Sequence, residues 1–171
     1  MKHQRSYHLD ASYLFPLLFP SLEEKDNYRT AQDSIHKLQN RGYLLRISDV
    51  AAGELVRKGI EKRRSSAGSS DFFATLKELG VEVYSLRREE VGRFSELLNF
   101  LRSPHREVGG KPAGDPIRPP DSLIVAYSMA DRESFGLLTF DTDLLFSRRV
   151  AAVVGERMKN KKRFRVTDRV E

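Results

Sequence analysis

The 171-residue sequence predicts an α/β fold in which helices surround a parallel sheet. Short apolar segments alternate with longer segments of helical periodicity, which is the pattern of consecutive strand–helix units. The length suits a single domain of roughly 100–200 residues, and the sequence contains no internal repeat. The absence of Cys excludes disulfides, zinc ribbons, iron–sulfur clusters and thiol catalysis.

The first part of the chain predicts two strand–helix units. Residues 6–9 predict a short strand, and apolar residues at helical spacing predict a helix over 22–41. Residues 43–47 predict a buried strand, and a helix follows over 48–64, where Ser48 supplies a good N-cap. Strands and helices that alternate in this way favour a parallel sheet.

The middle of the chain predicts a loop over 65–70, a helix over 71–79, a strand over 81–86 and an amphipathic helix over 89–102. Residues 103–120 hold five of the seven prolines and three glycines, which predicts a long irregular loop. Loops of this length are uncommon unless they are functional or mobile. This segment is therefore a candidate functional loop.

The last part of the chain returns to the alternating pattern. It predicts a helix over 121–132, a strand over 136–140, a helix over 143–159 and a last strand over 163–167. No composition shift marks a second domain.

The charge of the protein is basic and clustered. Thirty Lys and Arg against 24 Asp and Glu give a formal net charge of +6 and a pI near 9.6. Residues 57–64 and 156–165 are each dominated by Lys and Arg. Clustered basic residues favour polyanions, because each phosphate contact releases condensed counterions. A solvated, soluble surface explains the same charges equally well, so charge alone leaves nucleic-acid binding open.

The longest nearly apolar run, residues 13–19, is interrupted by Pro16 and is far shorter than the roughly 20 residues that span a bilayer. The N-terminus has a basic start but lacks the apolar stretch and cleavage site of a signal peptide. We therefore expect a soluble cytoplasmic protein with no membrane partner.

Two carboxylates directly follow predicted strands. Asp10 comes after the first strand, Asp141 after the strand at 136–140, and Asp143 two residues later. Sites in open parallel sheets lie beyond the carboxyl ends of the strands. Each Asp taken alone is explained as well by a turn or a helix cap, because its side chain satisfies free backbone N–H groups.

Two further carboxylates lie on predicted helices, one at the start of a helix and one on a helix's apolar face. Asp121 follows two prolines at the start of a predicted helix, where capping is the simplest explanation. Glu54 lies on the apolar stripe of the 48–64 helix, where a carboxylate must be paired, protonated or bound to a cation. Pairing with Lys58, four residues on, is the alternative.

Asp10, Glu54, Asp121 and Asp141 come from four separate segments that could reach the same end of one parallel sheet. Four carboxylates in one place would repel each other unless a cation lay between them. Hard oxygen ligands favour Mg²⁺ or Mn²⁺. Acids around such a metal, within a basic surface, point to hydrolysis of a nucleic-acid backbone.

Four segments of the sequence resemble the signatures of PIN domains, in the same order and across nearly the whole chain. They are Leu9-Asp10-Ala11-Ser12, Glu54-Leu55, the Pro-Asp-Ser-Leu-Ile-Val-Ala segment at 120–126, and the Leu-Leu-Thr-Phe-Asp-Thr-Asp segment at 137–143. The resemblance implies a PIN-like three-layer sandwich, with helices on both faces of a parallel sheet of about five strands. The single PIN-like domain would cover 1–171 and include the loop at 103–120 and a basic tail at 156–171.

The resemblance also implies a Mg²⁺- or Mn²⁺-dependent endoribonuclease that leaves a 5′-phosphate and a 3′-hydroxyl. The catalytic, metal-holding residues it implies are Asp10, Glu54, Asp121 and Asp141, with Asp143 as an additional acid. Ser12 and Thr139 could orient a ligand or a water, although an ordinary backbone hydrogen bond explains each hydroxyl as well. Asp49, in the first turn of the same helix, is the less favoured alternative to Glu54.

We expect the substrate to be single-stranded or looped RNA, whose backbone can bend into a pocket. Arg57, Lys58, Arg148 and Arg149 are the candidate contacts to that backbone, together with the basic tail. A homodimer and an antitoxin partner are further expectations, and toxin and RNA-processing roles are both open. The alternatives are a catalytically inactive RNA-binding module that keeps the fold, and a related nuclease that cleaves DNA or flaps.

Overall fold

A computed structural model describes residues 5–20, 25–63, 69–158 and 164–171. Within these ranges, helices pack on both faces of a five-stranded parallel sheet, so the predicted three-layer α/β architecture is confirmed. Most of the predicted loop at 65–70, the start of the predicted helix over 22–41, residue 64 of the first basic cluster and residues 159–163 of the second lie outside the described residues. No described helix is both long and apolar enough to cross a membrane.

The strands and helices follow the predicted order. The strands are β1 (Ser6–Leu9), β2 (Leu44–Ser48), β3 (Val81–Tyr84), β4 (Glu107–Val108), β5 (Lys111–Pro112), β6 (Ser134–Leu138) and β7 (Arg165–Thr167). The helices are α1 (Ala11–Leu18), α2 (Lys25–Asn40), α3 (Asp49–Arg63), α4 (Ser69–Glu78), α5 (Val91–Arg102), α6 (Pro119–Ala130), α7 (Thr142–Leu145) and α8 (Arg148–Met158), with a 3₁₀ turn at Arg88–Glu90 before α5.

The sheet has the order β3-β2-β1-β6-β7, and every neighbouring pair is parallel. Strands β1 and β6 are adjacent at its centre, with Leu9 opposite Leu138 at their carboxyl ends. The amide of Asp10 continues this pairing by donating to the carbonyl of Leu138 at 2.9 Å. The residues that follow the two central strands therefore meet at one edge of the sheet.

Helix α1 is the main element that the sequence pattern did not predict. Its first turn is capped by Asp10, and Tyr13 and Leu14 are completely buried. A helix buried on nearly all sides has no polar face, so its sequence lacks amphipathic periodicity. Pro16 lies inside this helix, where the sequence pattern indicated only an interruption.

The segment 103–120 is more ordered than predicted. Strands β4 and β5 form a hairpin whose turn, Gly109-Gly110, has φ values of 58° and 75° that suit glycine. Helix α6 begins at Pro119, which is favourable at the first helical position because proline has no N–H to satisfy. The predicted helix over 143–159 is divided into α7 and α8.

A buried polar network lies near the amino ends of the central strands. Asp131, which ends α6, accepts hydrogen bonds through Oδ2 from Ser6 Oγ and His8 Nε2, both at 2.9 Å, and from Arg46 Nη1 at 2.8 Å. Its Oδ1 accepts from the backbone amide of Glu133 at 2.9 Å. Because the Asp131 side chain is fully shielded from solvent, these partners are what makes its charge tolerable there.

Candidate functional site

The carboxyl edge of the sheet brings together the acids that the sequence predicted from four segments. Asp10 follows β1, Asp141 follows β6, Asp121 lies in the first turn of α6 and Glu54 lies on α3. Burial raises the pKa of Asp121 to about 6, and the charges of Asp141, Asp10 and Glu54 contribute further. The four carboxylates are therefore close enough for their charges to interact.

Among these acids, Asp10 is the one whose carboxylate is most restricted by burial and hydrogen bonds. It is 5% exposed, and its Oδ2 accepts from Ser12 Oγ at 2.6 Å and from Thr139 Oγ1 at 2.7 Å. Its Oδ1 accepts from the amide of Ala11 at 2.6 Å. Burial raises the pKa of Asp10, these three hydrogen bonds oppose the rise, and the charge of Glu54 adds to it.

Ser12 and Thr139 tie the two central strand ends together behind Asp10. Their hydroxyls are 3.1 Å apart, and each also accepts from a backbone amide, Phe140 N at 3.1 Å and Asp141 N at 2.9 Å respectively. Each hydroxyl therefore makes the ordinary backbone hydrogen bond and also donates to Asp10. Their predicted role in orienting a ligand or a water stays a prediction.

Glu54 joins the cluster and also pairs with its neighbour on the helix. Its carboxylate lies 2.7 Å from Lys58 Nζ, and its charge contributes to the raised pKa of Asp10 and of Asp121. Asp49 has a different neighbour, because it contributes to the raised pKa of Tyr127. The structure therefore favours Glu54 over Asp49 as the member of the acidic cluster from α3.

Asp121 does not cap α6, contrary to the simplest explanation of its position. Arg118 occupies the N-cap position, and Asp121 lies inside the first turn. Asp141 does act as a cap, because its Oδ1 accepts from the amide of Asp143 at 2.8 Å at the start of α7. Capping uses one oxygen of the Asp141 carboxylate, so the other oxygen can still bind a further ligand.

A cleft of about 660 Å³ adjoins the acidic cluster at Asp121. Asp121 and Asp143 lie in its wall, together with the exposed residues Arg118, Phe146 and Arg148. No sequence pattern indicated Arg118 or Phe146 as site residues. Their position depends on where α6 begins and where α7 ends, and hydrophobic periodicity defines helix ends poorly.

The four basic residues predicted to contact a nucleic acid differ in their surroundings. Arg57 is exposed on α3, Lys58 pairs with Glu54, and Arg148 is exposed at the cleft. Arg149 is buried, with 1% of its surface exposed, and its guanidinium donates to the carbonyls of Phe100 and Gly114. The prediction that Arg149 contacts a nucleic acid is therefore wrong, since its charge is used inside the fold.

Arg148 and Arg149 are neighbours with opposite expected phenotypes. Arg148→Ala should leave the melting temperature unchanged and, if the predicted RNA ligand binds at the cleft, reduce the salt dependence of that binding by about one ion. Arg149→Ala should cost about 3 kcal/mol of unfolding free energy, because two charge-assisted hydrogen bonds to buried carbonyls are lost. Urea unfolding and salt-dependent RNA titrations of both variants test this, and a stable Arg149→Ala protein with weakened RNA binding would contradict it.

The sequence matches no protein-family model and no curated protein at a significant level. In the described part of the chain, no three Asp, Glu or His side chains already form a metal-ligand group. What the site does contain is a set of oxygen donors, one of them buried and the others partly or fully exposed. Two of these acids, Asp121 and Asp143, line a cleft that also has exposed Arg side chains.

Proposed function

We propose that this protein is a Mg²⁺- or Mn²⁺-dependent endoribonuclease of the PIN type. The observation that supports this most directly is that Asp10, Glu54 and Asp141, from three separate segments, all act electrostatically on Asp121 in a fourth. Their mutual repulsion contributes to the raised pKa of Asp121. A divalent cation among them would relieve that repulsion and lower the pKa again.

The donor set fits the proposed metal. Mg²⁺ is usually held by a few carboxylate oxygens and retains several waters, so it needs donors that are partly open to solvent. Glu54, Asp121 and Asp141 are partly exposed and Asp143 is exposed, whereas Asp10 is buried behind them. When bound, a metal of this kind lowers the pKa of a water and offsets charge on a phosphodiester.

The protein's own side chains would orient the acids and attract the substrate. Ser12 and Thr139 restrict the rotation of the Asp10 carboxylate through their 2.6 and 2.7 Å hydrogen bonds. Arg118 and Arg148 bring positive charge to the cleft, which favours a phosphate backbone beside acids that would otherwise repel it. A single strand or a loop can bend its backbone toward such a recessed cluster, whereas a duplex resists bending.

Cleavage of an end-labelled single-stranded RNA by the full chain tests the proposal. We expect cleavage with Mg²⁺ or Mn²⁺, none with EDTA, and products that carry a 5′-phosphate and a 3′-hydroxyl. RNA binding without metal-dependent cleavage would contradict the enzyme and favour the inactive binding module. A DNA strand of the same sequence, run in parallel, tests the RNA preference, and faster cleavage of the DNA would contradict it.

A further inference from the structure

Phe146 is an aromatic side chain exposed beside the acidic cluster. It directly follows α7 and is 81% exposed, the most of any large apolar side chain in the described ranges. Its amide donates to the carbonyl of Thr142 at 3.0 Å, so its backbone is held by the preceding turn. A single exposed apolar residue needs no explanation by itself, so the inference depends on what surrounds this ring.

The surroundings of Phe146 combine both signs of charge in one cleft. Asp121 and Asp143, two acids of the proposed catalytic site, lie in the same wall as the ring. Arg118 and Arg148 lie there too, at the starts of α6 and α8, and both are exposed. An aromatic ring beside cations is the arrangement by which proteins bind single-stranded nucleic acids, stacking a base on the ring while cations follow the backbone.

We propose that Phe146 stacks against one nucleobase of the bound strand, while Arg118 and Arg148 contact the phosphates on either side of it. This inference rests on the proposed function, because it assumes that the strand in the cleft is the substrate. The stacked base would fix the position of the strand relative to Asp121 and Asp143. Every base has an aromatic face, so this contact selects single strands and tolerates any sequence.

Two other aromatic side chains, Phe73 and Phe140, are less suited to stack a base. Phe73 is 47% exposed on α4, which packs on β3, so it lies at the opposite edge of the sheet from α7 and its neighbour β7. Phe140 packs against Tyr13 with ring centroids 4.4 Å apart, so one of its faces is already covered. Phe146 differs from both in being largely uncovered and in the same cleft as the acids.

The chain contains no Trp, so Phe146→Trp introduces a single tryptophan that reports directly on stacking. We expect its fluorescence to be quenched when single-stranded RNA is added in EDTA, where metal-dependent cleavage cannot occur. Phe73→Trp is the matched control and should not be quenched. Duplex RNA should quench Phe146→Trp much less, and a DNA strand tests how far the contact depends on the sugar.

A second variant separates stacking from folding. Phe146→Ala should weaken single-strand binding about 10-fold, at the same melting temperature as the wild-type protein. Phe146→Trp should bind as tightly as wild type or more tightly. Equal quenching at positions 146 and 73, or full RNA affinity in Phe146→Ala, would overturn the proposal. So would an emission change that follows protein concentration without RNA, which would assign the ring to contact between copies.

The stacking experiment and the cleavage experiment can fail separately. Quenching at position 146 without metal-dependent cleavage would contradict the nuclease and leave the stacking contact in place. Cleavage by the wild-type protein without quenching at position 146 would overturn the stacking contact and leave the nuclease in place.

Discussion

Asp121→Asn is expected to abolish metal-dependent RNA cleavage and, at the same time, to raise the melting temperature of the metal-free protein. The Asp121 carboxylate is partly buried beside three other acids, and its pKa is raised to about 6. Its ionised form is therefore less favourable in the folded protein than in the unfolded chain, and the amide removes that cost. A gain of about 1 kcal/mol corresponds to roughly 2–4 °C for a protein of this size.

The pH dependence of this gain has a definite sign. Folding raises the pKa of this carboxyl from 3.8 to about 6. Above pH 6 the ionised carboxylate therefore destabilises the folded state by its full amount, and at pH values well below 3.8 the group is protonated in both states and contributes nothing. The advantage of Asp121→Asn in melting temperature should therefore be largest at neutral pH and vanish as the pH falls through that range. Thermal unfolding in EDTA at several pH values measures it.

Added Mg²⁺ provides a readout that does not depend on catalysis. Millimolar Mg²⁺ should raise the melting temperature of the wild-type protein, because a ligand that binds only the folded state stabilises it, and should affect Asp121→Asn much less. Asp33→Asn, on the exposed surface of α2, makes the same charge change away from the cleft and should retain both activity and the Mg²⁺ response. A full Mg²⁺ response in Asp121→Asn would contradict the metal assignment.

Asp10→Asn should also lose activity, by at least about 100-fold, because a metal contributes several kcal/mol of charge stabilisation at such a site. Asp10→Asn should not raise the melting temperature as much as Asp121→Asn does. Asp10 accepts three hydrogen bonds at 2.6–2.7 Å, and an amide nitrogen cannot accept the bonds that one of its oxygens receives. The thermal gain should therefore be smaller or absent.

Asp131→Asn is expected to cost about 3 kcal/mol of unfolding free energy at neutral pH. The substitution removes one of the two carboxylates, Asp131 and Glu133, that pair with buried Arg46, and breaking a buried ion pair from one side is strongly destabilising. Urea unfolding of both proteins at pH 7 measures the difference. Asp168→Asn is the control: Asp168 pairs with Arg169 on the surface, where a salt bridge contributes 1 kcal/mol or less.

The cost of Asp131→Asn should shrink in acid. Burial alone would raise the pKa of Asp131, but the hydrogen bonds and charge of His8, together with Arg46 and the Glu133 amide, lower it well below the ordinary 3.8. Stability from this carboxylate is thus fully present above about pH 4 and is lost as the pH falls toward the folded-state pKa. A difference between the two proteins that is as large at pH 3 as at pH 7 would contradict this account.

Local patterns predicted the sheet and most of the acidic cluster. Alternating strands and helices define a parallel sheet, and a parallel sheet brings Asp10 and Asp141 to one edge whatever their distance in sequence. The apolar stripe of α3 likewise identified Glu54. Each of these inferences needs only a short segment and the general geometry of the fold.

Features that depend on distant partners could not be predicted in this way. Arg148 and Arg149 are alike in sequence, and only the carbonyls of Phe100 and Gly114 determine that one of them is buried. His8 looks like an isolated histidine, although its partner Asp131 lies 123 positions away. The sequence pattern does not predict helix α1, because burial on nearly all sides removes the periodicity by which helices are found.

Helix α6 carries Asp121 in its first turn and is capped at its C-terminus by Asp131, so the two ends of this 12-residue helix, about 18 Å long, serve different parts of the molecule. At its far end the helix is anchored by Ser6, His8 and Arg46 in the interior. A substitution at one of these anchoring residues would therefore shift helix α6 as a rigid body and displace the Asp121 carboxylate at the cleft. Loss of activity in a variant of the anchor would then reflect a displaced carboxylate, although the changed side chain never approaches the substrate.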